Sequence, residues 1–503
     1  MDVFMQDSEA FSWYMERDPI LRSTVVAVAW LECSPDWAAL TAKLERATRL
    51  TPVFRQRVLE PPGRLATPRW TVDEEFDLTS HLHRIAAPAP RTPQTVVDFA
   101  RQEAMMSFDH SRPLWEFTLI EHLEGGRAAL VMKIHHSLTD GLGGMQLALL
   151  LFDLERAPTS AGPMPDAPVG ERVGRPDLVL ESIAWGWRRM SGFVGGRAQT
   201  IIPSALHAAR HPLGSVGAAA ETARSIARTV APVRHTLSPI MTDRGLGRHL
   251  DLVEVGLDDL KRAAAAAGGS INDGFLAAVT AGLRRYHERH GATVDELRVT
   301  LPISIRTPED PLGGNRITLM RFALPVADRD PASRISQIGR LCRAARDERS
   351  LAFTNAIAGT LNLFPSGVVG SMLKHVDFLA SDVPGFPFSV YLGGALVERY
   401  VAFGPTIGSA VNLTLLSYNG VCYVGVTIDT VTVADHDVLI ECLRAGFDEV
   451  LALAGAHTPA GLPLRQDEPT GPRAPRSVTP TTGHAQRARR SERIRPSVAA
   501  PSP

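Results

Sequence analysis

Segments typical of strands and helices alternate twice along this chain, once before residue 155 and again after residue 245. In the first run, two apolar strand-like segments, Phe117–His122 and Ala128–His135, follow each other closely. In the second run, Val411–Tyr418 and Val421–Ile428 flank Asn419-Gly420, a dipeptide typical of two-residue hairpin turns. Mixed strands and helices in two halves of similar size predict an α/β or α+β protein with two lobes.

Composition divides the chain into four predicted regions: an N-terminal lobe over 1–154, a connector over 155–245, a C-terminal lobe over 246–458 and a tail over 459–503. The connector is rich in Pro, Ala and Gly and has only weak helical patterns, around Leu178–Gly195 and Gly217–Val230. The tail has no aromatic residue and carries eight Arg against three acids. It cannot bury enough apolar surface to fold by itself, and its positive charge suggests contact with anionic lipid headgroups.

The overall charge and the cysteines exclude several classes of protein. Lys and Arg number 53 against 54 for Asp and Glu, so the chain lacks the basic field of a general nucleic-acid binder. The four cysteines, Cys33, Cys342, Cys422 and Cys442, form no CxxC pair, which argues against a disulfide framework or a zinc ribbon. The acidic N-terminus is unlike a signal peptide, and no stretch reaches about 18 apolar residues. These features predict a cytoplasmic protein without a membrane-spanning helix.

Reactive side chains concentrate in His135-His136-Ser137-Leu138-Thr139-Asp140-Gly141, between an apolar strand and a glycine-containing helix start. Because side chains alternate along a strand, His136 should share a face with Ile134, and His135 should point the other way. An imidazole among apolar neighbours favours its neutral form, so His136 is a candidate general base.

Other readings of this segment are a buried histidine with a purely structural role and a metal site. Adjacent strand residues point apart and chelate poorly, so we predict no metal. A serine nucleophile is also unsupported, since no GxSxG occurs and the SxxK match at Ser371 lacks its companion motifs.

The HHxxxDG pattern resembles the signature of the chloramphenicol-acetyltransferase-like superfamily, and other motifs resemble its bacterial wax ester synthase/diacylglycerol acyltransferase branch. They follow one another in that family's order over about residues 5 to 450: Asp7-Ser8-Glu9-Ala10-Phe11, Phe54-Arg55-Gln56-Arg57, Arg112-Pro113-Leu114-Trp115-Glu116, Ser270-Ile271-Asn272-Asp273, Leu301-Pro302-Ile303-Ser304-Ile305-Arg306, Gly314-Asn315-Arg316, Asn412-Leu413-Thr414 and Tyr418-Asn419-Gly420. The resemblance implies two chloramphenicol-acetyltransferase-like lobes with mixed sheets that enclose a substrate tunnel, with the histidine midway along it.

The resemblance also implies a reaction. His136 would take the proton from an acceptor hydroxyl, which attacks the thioester of a long-chain acyl-CoA without an acyl-enzyme and without a cofactor beyond this co-substrate. Diacylglycerol is the expected acceptor, giving triacylglycerol; a long-chain alcohol, giving wax ester, is the alternative. A carrier-dependent condensation enzyme and a catalytically silent lipid-binding homologue are further readings. A peripheral position at a membrane or lipid-droplet surface is compatible with these substrates.

Further residues are assigned supporting roles, His135 among them. Asp140 is expected to pair with an arginine, Arg55 first and Arg306 second. Gly141 is expected to allow a tight turn at the base of the channel, or simply to start a helix. Asn272 could hydrogen-bond near the oxyanion or cap a helix.

One departure from the family pattern concerns Asp382. The family usually has Asn-Val-Pro-Gly-Pro where this chain reads Asp382-Val383-Pro384-Gly385-Phe386. An ionised Asp cannot donate a hydrogen bond. If that side chain lies near the acyl channel, substrate preference or activity would change.

Overall fold

The computed structural model describes residues 3–157, 162–188, 233–304, 317–347 and 373–455, together with Gly359, Asn362 and Gly370. Much of the predicted connector lies outside the described residues, including the helix expected at 217–230. So do Arg306, the segment 314–316 and the whole tail from residue 459.

The first half of the chain alternates strands with helices, as its sequence pattern predicts. Asp36 caps the helix that follows the first strand by accepting a hydrogen bond from the Ala39 N–H at 2.7 Å. The strands are β1 (Thr24–Leu31), β2 (Gln56–Leu59), β3 (Arg69–Val72), β4 (Leu82–Ala86), β5 (Trp115–Glu121) and β6 (Ala128–His135), and the helices are α1 (Asp7–Met15), α2 (Trp37–Leu50), α3 (Pro93–Met105) and α4 (Gly141–Leu151). Residues 175–188 form a further helix, α5.

The second half has the same mixed character. Its hairpin turn at Asn419-Gly420 has positive φ at both residues, 46° and 85°, which confirms the turn predicted from the dipeptide. The strands are β7 (Arg248–Gly256), β8 (Glu296–Ser304), β9 (Ile317–Pro325), β10 (Phe378–Val383), β11 (Tyr391–Leu392), β12 (Ala395–Phe403), β13 (Val411–Tyr418) and β14 (Val421–Asp429), and the helices are α6 (Leu257–Ala266), α7 (Ile271–Arg289), α8 (Pro331–Arg346) and α9 (His436–Leu451).

Two six-stranded mixed sheets organise these elements, which confirms the predicted fold class. The first has the order β11-β12-β1-β6-β5-β4, and the second has the order β7-β14-β13-β10-β8-β9. Each sheet combines antiparallel pairs with parallel ones, β4 with β5 in the first and β10 with β8 and β13 in the second.

Strands β11 and β12 belong to the first sheet although they come late in the chain. β12 pairs antiparallel with β1, with Val28 opposite Val401. Sheet membership therefore crosses the boundary predicted at residues 245/246. Gly425 of β14 lies against this exchanged strand, since a Cβ there would be 2.2 Å from the Ala402 carbonyl oxygen. Only a glycine permits the two sheets to approach so closely.

Each sheet has its own apolar core, and the helices of the second sheet cover only one of its faces. Alternate residues of β10 and β13, such as Phe378, Ala380 and Leu413, pack into the core that includes α7 and α9. The intervening residues, such as Ser381 and Asn412, face the first sheet. A space is thereby left between the two lobes. No helix among the described residues is long and apolar enough to cross a membrane.

Candidate active site

The space between the lobes is a cavity of about 1270 Å³, counting the part open to solvent. Both sheets contribute to it, while α2 and α4 cover it on the side of the first lobe. Its walls are mainly apolar. The lining includes Val25, Ala27, Met132 and Ile134 from the first sheet, Leu379, Ser381, Val383, Asn412, Thr414 and Leu416 from the second, and Leu44, Ala47, Thr48, Met145, Ala148 and Leu151 from the two helices.

The two histidines lie where β6 ends, and hydrogen bonds hold the backbone there on both sides. The His135 N–H donates to the Leu114 carbonyl at 3.0 Å, and the His136 N–H donates to the Ser23 carbonyl at 2.9 Å. His135 is the last residue of β6, and His136 begins the turn that follows it. Both residues border the cavity, but their surroundings differ, since His135 is fully buried and His136 is half-buried.

His136 lines the cavity and is half-buried. Its Nδ1 is buried, so Nε2 is the nitrogen that a substrate in the cavity would have to reach. Burial lowers the pKa of this imidazole below its usual value, although its own backbone, and then the Asp140 carboxylate, act in the opposite direction. A neutral ring with an available nitrogen is what a general base requires at neutral pH.

His135 is fully buried and held by polar contacts on both ring nitrogens. Its Nδ1 accepts hydrogen bonds from the Ser137 N–H at 3.1 Å and the Ser137 hydroxyl at 2.6 Å. Nε2 therefore carries the proton, and it contacts the carboxylate of Glu16. Burial raises the pKa of Glu16, but the contact with His135, together with nearby His110 and Arg22, outweighs it, so the pKa lies below its usual value. Sequence reasoning missed Glu16, because nothing in its neighbourhood marks it.

Asp140 caps α4 from a buried position. Its Oδ1 accepts a hydrogen bond from the Gly143 N–H at 2.7 Å, so the motif ends one element and begins the next within a few residues.

Gly141 is the first residue of α4, and its importance lies in packing. A Cβ at this position would be 2.9 Å from Cγ2 of Val383, which belongs to the opposite lobe. Close approach of the two lobes, and not a tight turn, is therefore what this glycine permits.

Arg55 does not pair with Asp140, so the first partner predicted for Asp140 is wrong. The Arg55 guanidinium pairs with Glu45 of α2 at 2.6 Å, donates to the Thr48 hydroxyl at 3.0 Å and lies 4.4 Å from the ring centre of Phe76. It supports the helix that covers the cavity. The second expected partner, Arg306, lies outside the described residues.

Neither role predicted for Asn272 fits the structure. Ser270 is the residue that caps α7, in a capping box with Asp273, and the Asn272 amide lies 3.9 Å from the Cys342 sulfur. Asn272 is not among the residues that line the cavity.

The amide found at the cavity is that of Asn412 instead. Its Nδ2 donates to the Pro405 carbonyl at 2.6 Å, and its Oδ1 accepts from the Thr414 hydroxyl at 2.9 Å. The motif Asn412-Leu413-Thr414 and strand alternation together could have placed both polar side chains on one face.

Asp382 lies between Ser381 and Val383 on β10, and both neighbours line the cavity. Asp382 therefore points to the other face of the strand, where it is exposed. Because Asp382 does not face the cavity, the structure gives no reason for its replacement of the family's Asn to alter the acyl channel.

One group of metal-type side chains in the described part of the chain has ligand atoms within 4.8 Å of one another, namely His249, His436 and Asp437. The two imidazoles stack with ring centres 3.6 Å apart and planes inclined by 12°. Lone pairs that lie in nearly parallel planes do not converge on one ion, so this stacked arrangement does not form a coordination site.

Comparison with known proteins identifies the family of this chain and agrees with its fold. The family model described as the wax ester synthase/diacylglycerol acyltransferase catalytic domain matches residues 1–275, and the model of the family's C-terminal domain matches residues 313–450. The chain belongs to this family. Members of this family transfer an acyl group from acyl-CoA to an acceptor, so the chain is an acyl-CoA-dependent acyltransferase.

Relatives and solved structures extend the comparison. A Mycobacterium tuberculosis protein named as a candidate diacylglycerol O-acyltransferase is 35% identical over 468 residues, which cover 92% of this chain and 95% of that protein. The wax ester synthase/diacylglycerol acyltransferase from Marinobacter aquaeolei has a similar fold, with a TM-score of 0.61 and 21% identity over 90% of this chain and all of that one. The first condensation domain of the calcium-dependent antibiotic synthetase also shares the fold, with a TM-score of 0.60 and 16% identity over 90% of this chain and 96% of that one.

Proposed function

We propose that this acyltransferase transfers the acyl group of a long-chain acyl-CoA to diacylglycerol, with His136 as the general base. The observation that carries the proposal is an imidazole that lines an apolar cavity, with its Nδ1 buried and its pKa lowered by burial. The choice of acceptor rests on the name of the mycobacterial relative, which is 35% identical.

The reaction needs one proton transfer and one acyl transfer. Nε2 of His136 removes the proton from the acceptor hydroxyl as its oxygen attacks the thioester carbonyl. The tetrahedral intermediate then collapses, the carbon–sulfur bond breaks and CoA leaves as a thiolate. Because a thiol has a pKa of about 8.5, the leaving group needs little acid assistance, and the imidazolium can return its proton to the sulfur. General-base catalysis of this kind contributes on the order of 10²–10⁴-fold.

Two features of the cavity favour direct transfer. Both lobes line it, so the two substrates can meet at His136 without an acyl-enzyme, and holding them together removes much of the entropic cost of their encounter. Its apolar walls suit the hydrocarbon chains of both substrates. We propose no cofactor beyond the acyl-CoA co-substrate.

A long-chain alcohol is the second candidate acceptor. The structurally similar Marinobacter enzyme is named as a wax ester synthase as well as a diacylglycerol acyltransferase. An apolar cavity accepts the chain of an alcohol as readily as that of a glyceride.

The test is acyl transfer from palmitoyl-CoA, measured as free thiol and as lipid product, with diacylglycerol and hexadecanol offered separately. His136→Ala and His136→Gln serve as variants, and circular dichroism checks that they fold. We expect triacylglycerol and a fall of about 10²-fold or more in kcat for both variants. Formation of wax ester without triacylglycerol would identify a long-chain alcohol as the acceptor instead of diacylglycerol. Full activity in either variant would refute the role of His136, and no thiol release from folded wild-type protein would refute the proposed function.

Because the expected acceptor and product are lipids, we also propose that the protein works at a lipid surface, with the arginines of the 459–503 tail contacting anionic headgroups. Co-sedimentation of the full chain with phosphatidylserine vesicles at low and high salt tests this. Binding that replacement of the tail arginines by glutamine leaves unchanged would contradict it.

A further inference from the structure

The floor of the cavity on the first sheet is arranged in rows that strand register defines. Stepping back along β6 from His136, the side chains on the cavity face are Ile134 and Met132, and the next position in that series is Leu130. Met132 lies opposite Ala27 of β1, which lies opposite Ala402 of β12, so the three residues form one row across the strands, and all three line the cavity. Small side chains on β1 and β12 thus form a groove that leads away from the catalytic histidine.

The next row closes this groove. Ala29 lies opposite both Leu130 and Tyr400, and in this row Tyr400 is the residue that lines the cavity, while Ala29 and Leu130 are fully buried. The ring of Tyr400 contacts Phe152 and Phe386, with ring centres 5.4 and 6.4 Å away. All three rings are at most 6% exposed. The end of the groove is therefore a packed aromatic wall.

Two elements give the length of the groove. From Ile134 to Leu130 the strand advances four residues, or about 14 Å at roughly 3.4 Å per residue. Helix α4 begins at Gly141, beside the catalytic motif, and ends at Leu151, next to Phe152 of the wall. Ten residues of helix advance about 15 Å at roughly 1.5 Å per residue.

This length matches one long acyl chain. The hydrocarbon core of a bilayer is about 30 Å thick, so the chain of a single leaflet spans about 15 Å. The groove runs in one direction and has one closed end, which suits the single chain of an acyl-CoA and not the two chains of a diacylglycerol.

We infer that the groove along Ala27 and Ala402 holds the acyl chain of acyl-CoA and that the Tyr400 ring sets the longest chain the enzyme accepts. This inference deepens the proposed function and rests on it. Burial alone raises the pKa of the Tyr400 hydroxyl, which makes no hydrogen bond with any described residue. The ring, and not the hydroxyl, should therefore determine chain length.

The experiment measures kcat/KM for acyl-CoA substrates from octanoyl to arachidoyl at a fixed acceptor. In Ala402→Leu, the added side chain enters the groove one row before the wall. Because a pocket discriminates a single methylene by about tenfold or more, we expect the ratio of palmitoyl-CoA to decanoyl-CoA to fall at least that much. In Tyr400→Ala the wall recedes, and the ratio of arachidoyl-CoA to palmitoyl-CoA should rise by a similar factor. Tyr400→Phe is the matched control and should leave the profile unchanged.

A second series varies the chain of an alcohol acceptor at fixed palmitoyl-CoA. If Ala402→Leu changes the preference for alcohol chain length and leaves the preference for acyl-CoA chain length unchanged, the groove holds the other substrate and the inference is overturned. An unchanged profile in both Ala402→Leu and Tyr400→Ala, or a shift in Tyr400→Phe equal to that in Tyr400→Ala, would also overturn it.

Displacement of cis-parinaric acid by fatty acids of graded length measures the same groove without turnover. A wild-type protein that transfers no acyl group but keeps this length dependence would separate failure of the proposed function from failure of the groove. Absence of length dependence in both assays would refute the groove itself.

Discussion

Substituting Gly141 by alanine tests whether the two lobes must touch at the start of α4. The added Cβ would lie 2.9 Å from Cγ2 of Val383, whereas carbon atoms in good contact are about 3.5–4.0 Å apart. The helix start or β10 must therefore move by about 0.6–1.1 Å. Forced repacking of this kind costs typically 1–3 kcal/mol. Alanine in place of a helical glycine offsets at most about 1 kcal/mol of that.

The expected net effect is a loss of about 1–2 kcal/mol in the free energy of unfolding. The effect on activity should be larger, because Gly141 directly follows Asp140 and lies close in sequence to His136. A displacement of about 1 Å at a reacting group can cost on the order of 10²-fold in rate. Urea unfolding measures the first quantity, and kcat/KM with palmitoyl-CoA measures the second.

The double variant Gly141→Ala/Val383→Ala isolates the contact. In the wild type, Cβ of Val383 is 3.9 Å from the Cβ position of residue 141, which is an ordinary contact. Removing the two methyl groups should therefore restore activity to within a few-fold, although Val383→Ala alone loses about 1–2 kcal/mol of apolar burial. Wild-type activity in Gly141→Ala, or no recovery in the double variant, would refute the reasoning.

Three further predictions follow from the site. Because burial lowers the pKa of His136, kcat/KM should rise with pH through a midpoint below the ordinary value of about 6.5. Asp140→Asn removes a carboxylate that raises this pKa, so the acid limb of its pH–rate profile should move to lower pH. A shift of that limb to higher pH would contradict the assignment. The pKa of Glu16 lies below its ordinary 4.5, so its stabilising effect should be complete above that pH and fade as the pH falls through the lowered value. The difference in unfolding free energy between wild type and Glu16→Gln should therefore stay constant from neutral pH down to about pH 4.5 and shrink below it, and a difference that stays constant below pH 4.5 as well would exclude the link. Arg55→Met removes the more buried of the two arginines that pair with Glu45, while Arg49 stays at 2.7 Å. It should cost about 1–3 kcal/mol of stability and leave the midpoint of the pH–rate profile in place. A shifted midpoint would instead couple Arg55 to His136.

Part of the local structure at the site could be predicted from the residues concerned. Asp140 caps α4 because it lies three residues before the Gly143 N–H, and Asn419-Gly420 adopts the turn that its residue types favour. These outcomes depend on interactions between neighbours in sequence, so the printed residues contain the information needed. The same holds for the mixed α/β class, because strand and helix periodicities are local.

The partners of the site residues could not be obtained in this way. Glu16 reaches His135 from α1, Val383 meets Gly141 from the opposite lobe, and Arg55 pairs with Glu45 and not with Asp140. Strand β12, which supplies the wall of the groove, joins the sheet of the other half of the chain.

The sequence by itself therefore determined the elements, the position of the histidine pair and the family. The tertiary structure decided which distant side chain contacts His135, how closely the lobes approach and where the groove ends. The physical reason is that an ion pair or a packing contact between distant segments depends on how the sheets are assembled, and neither partner carries a local pattern that identifies the other.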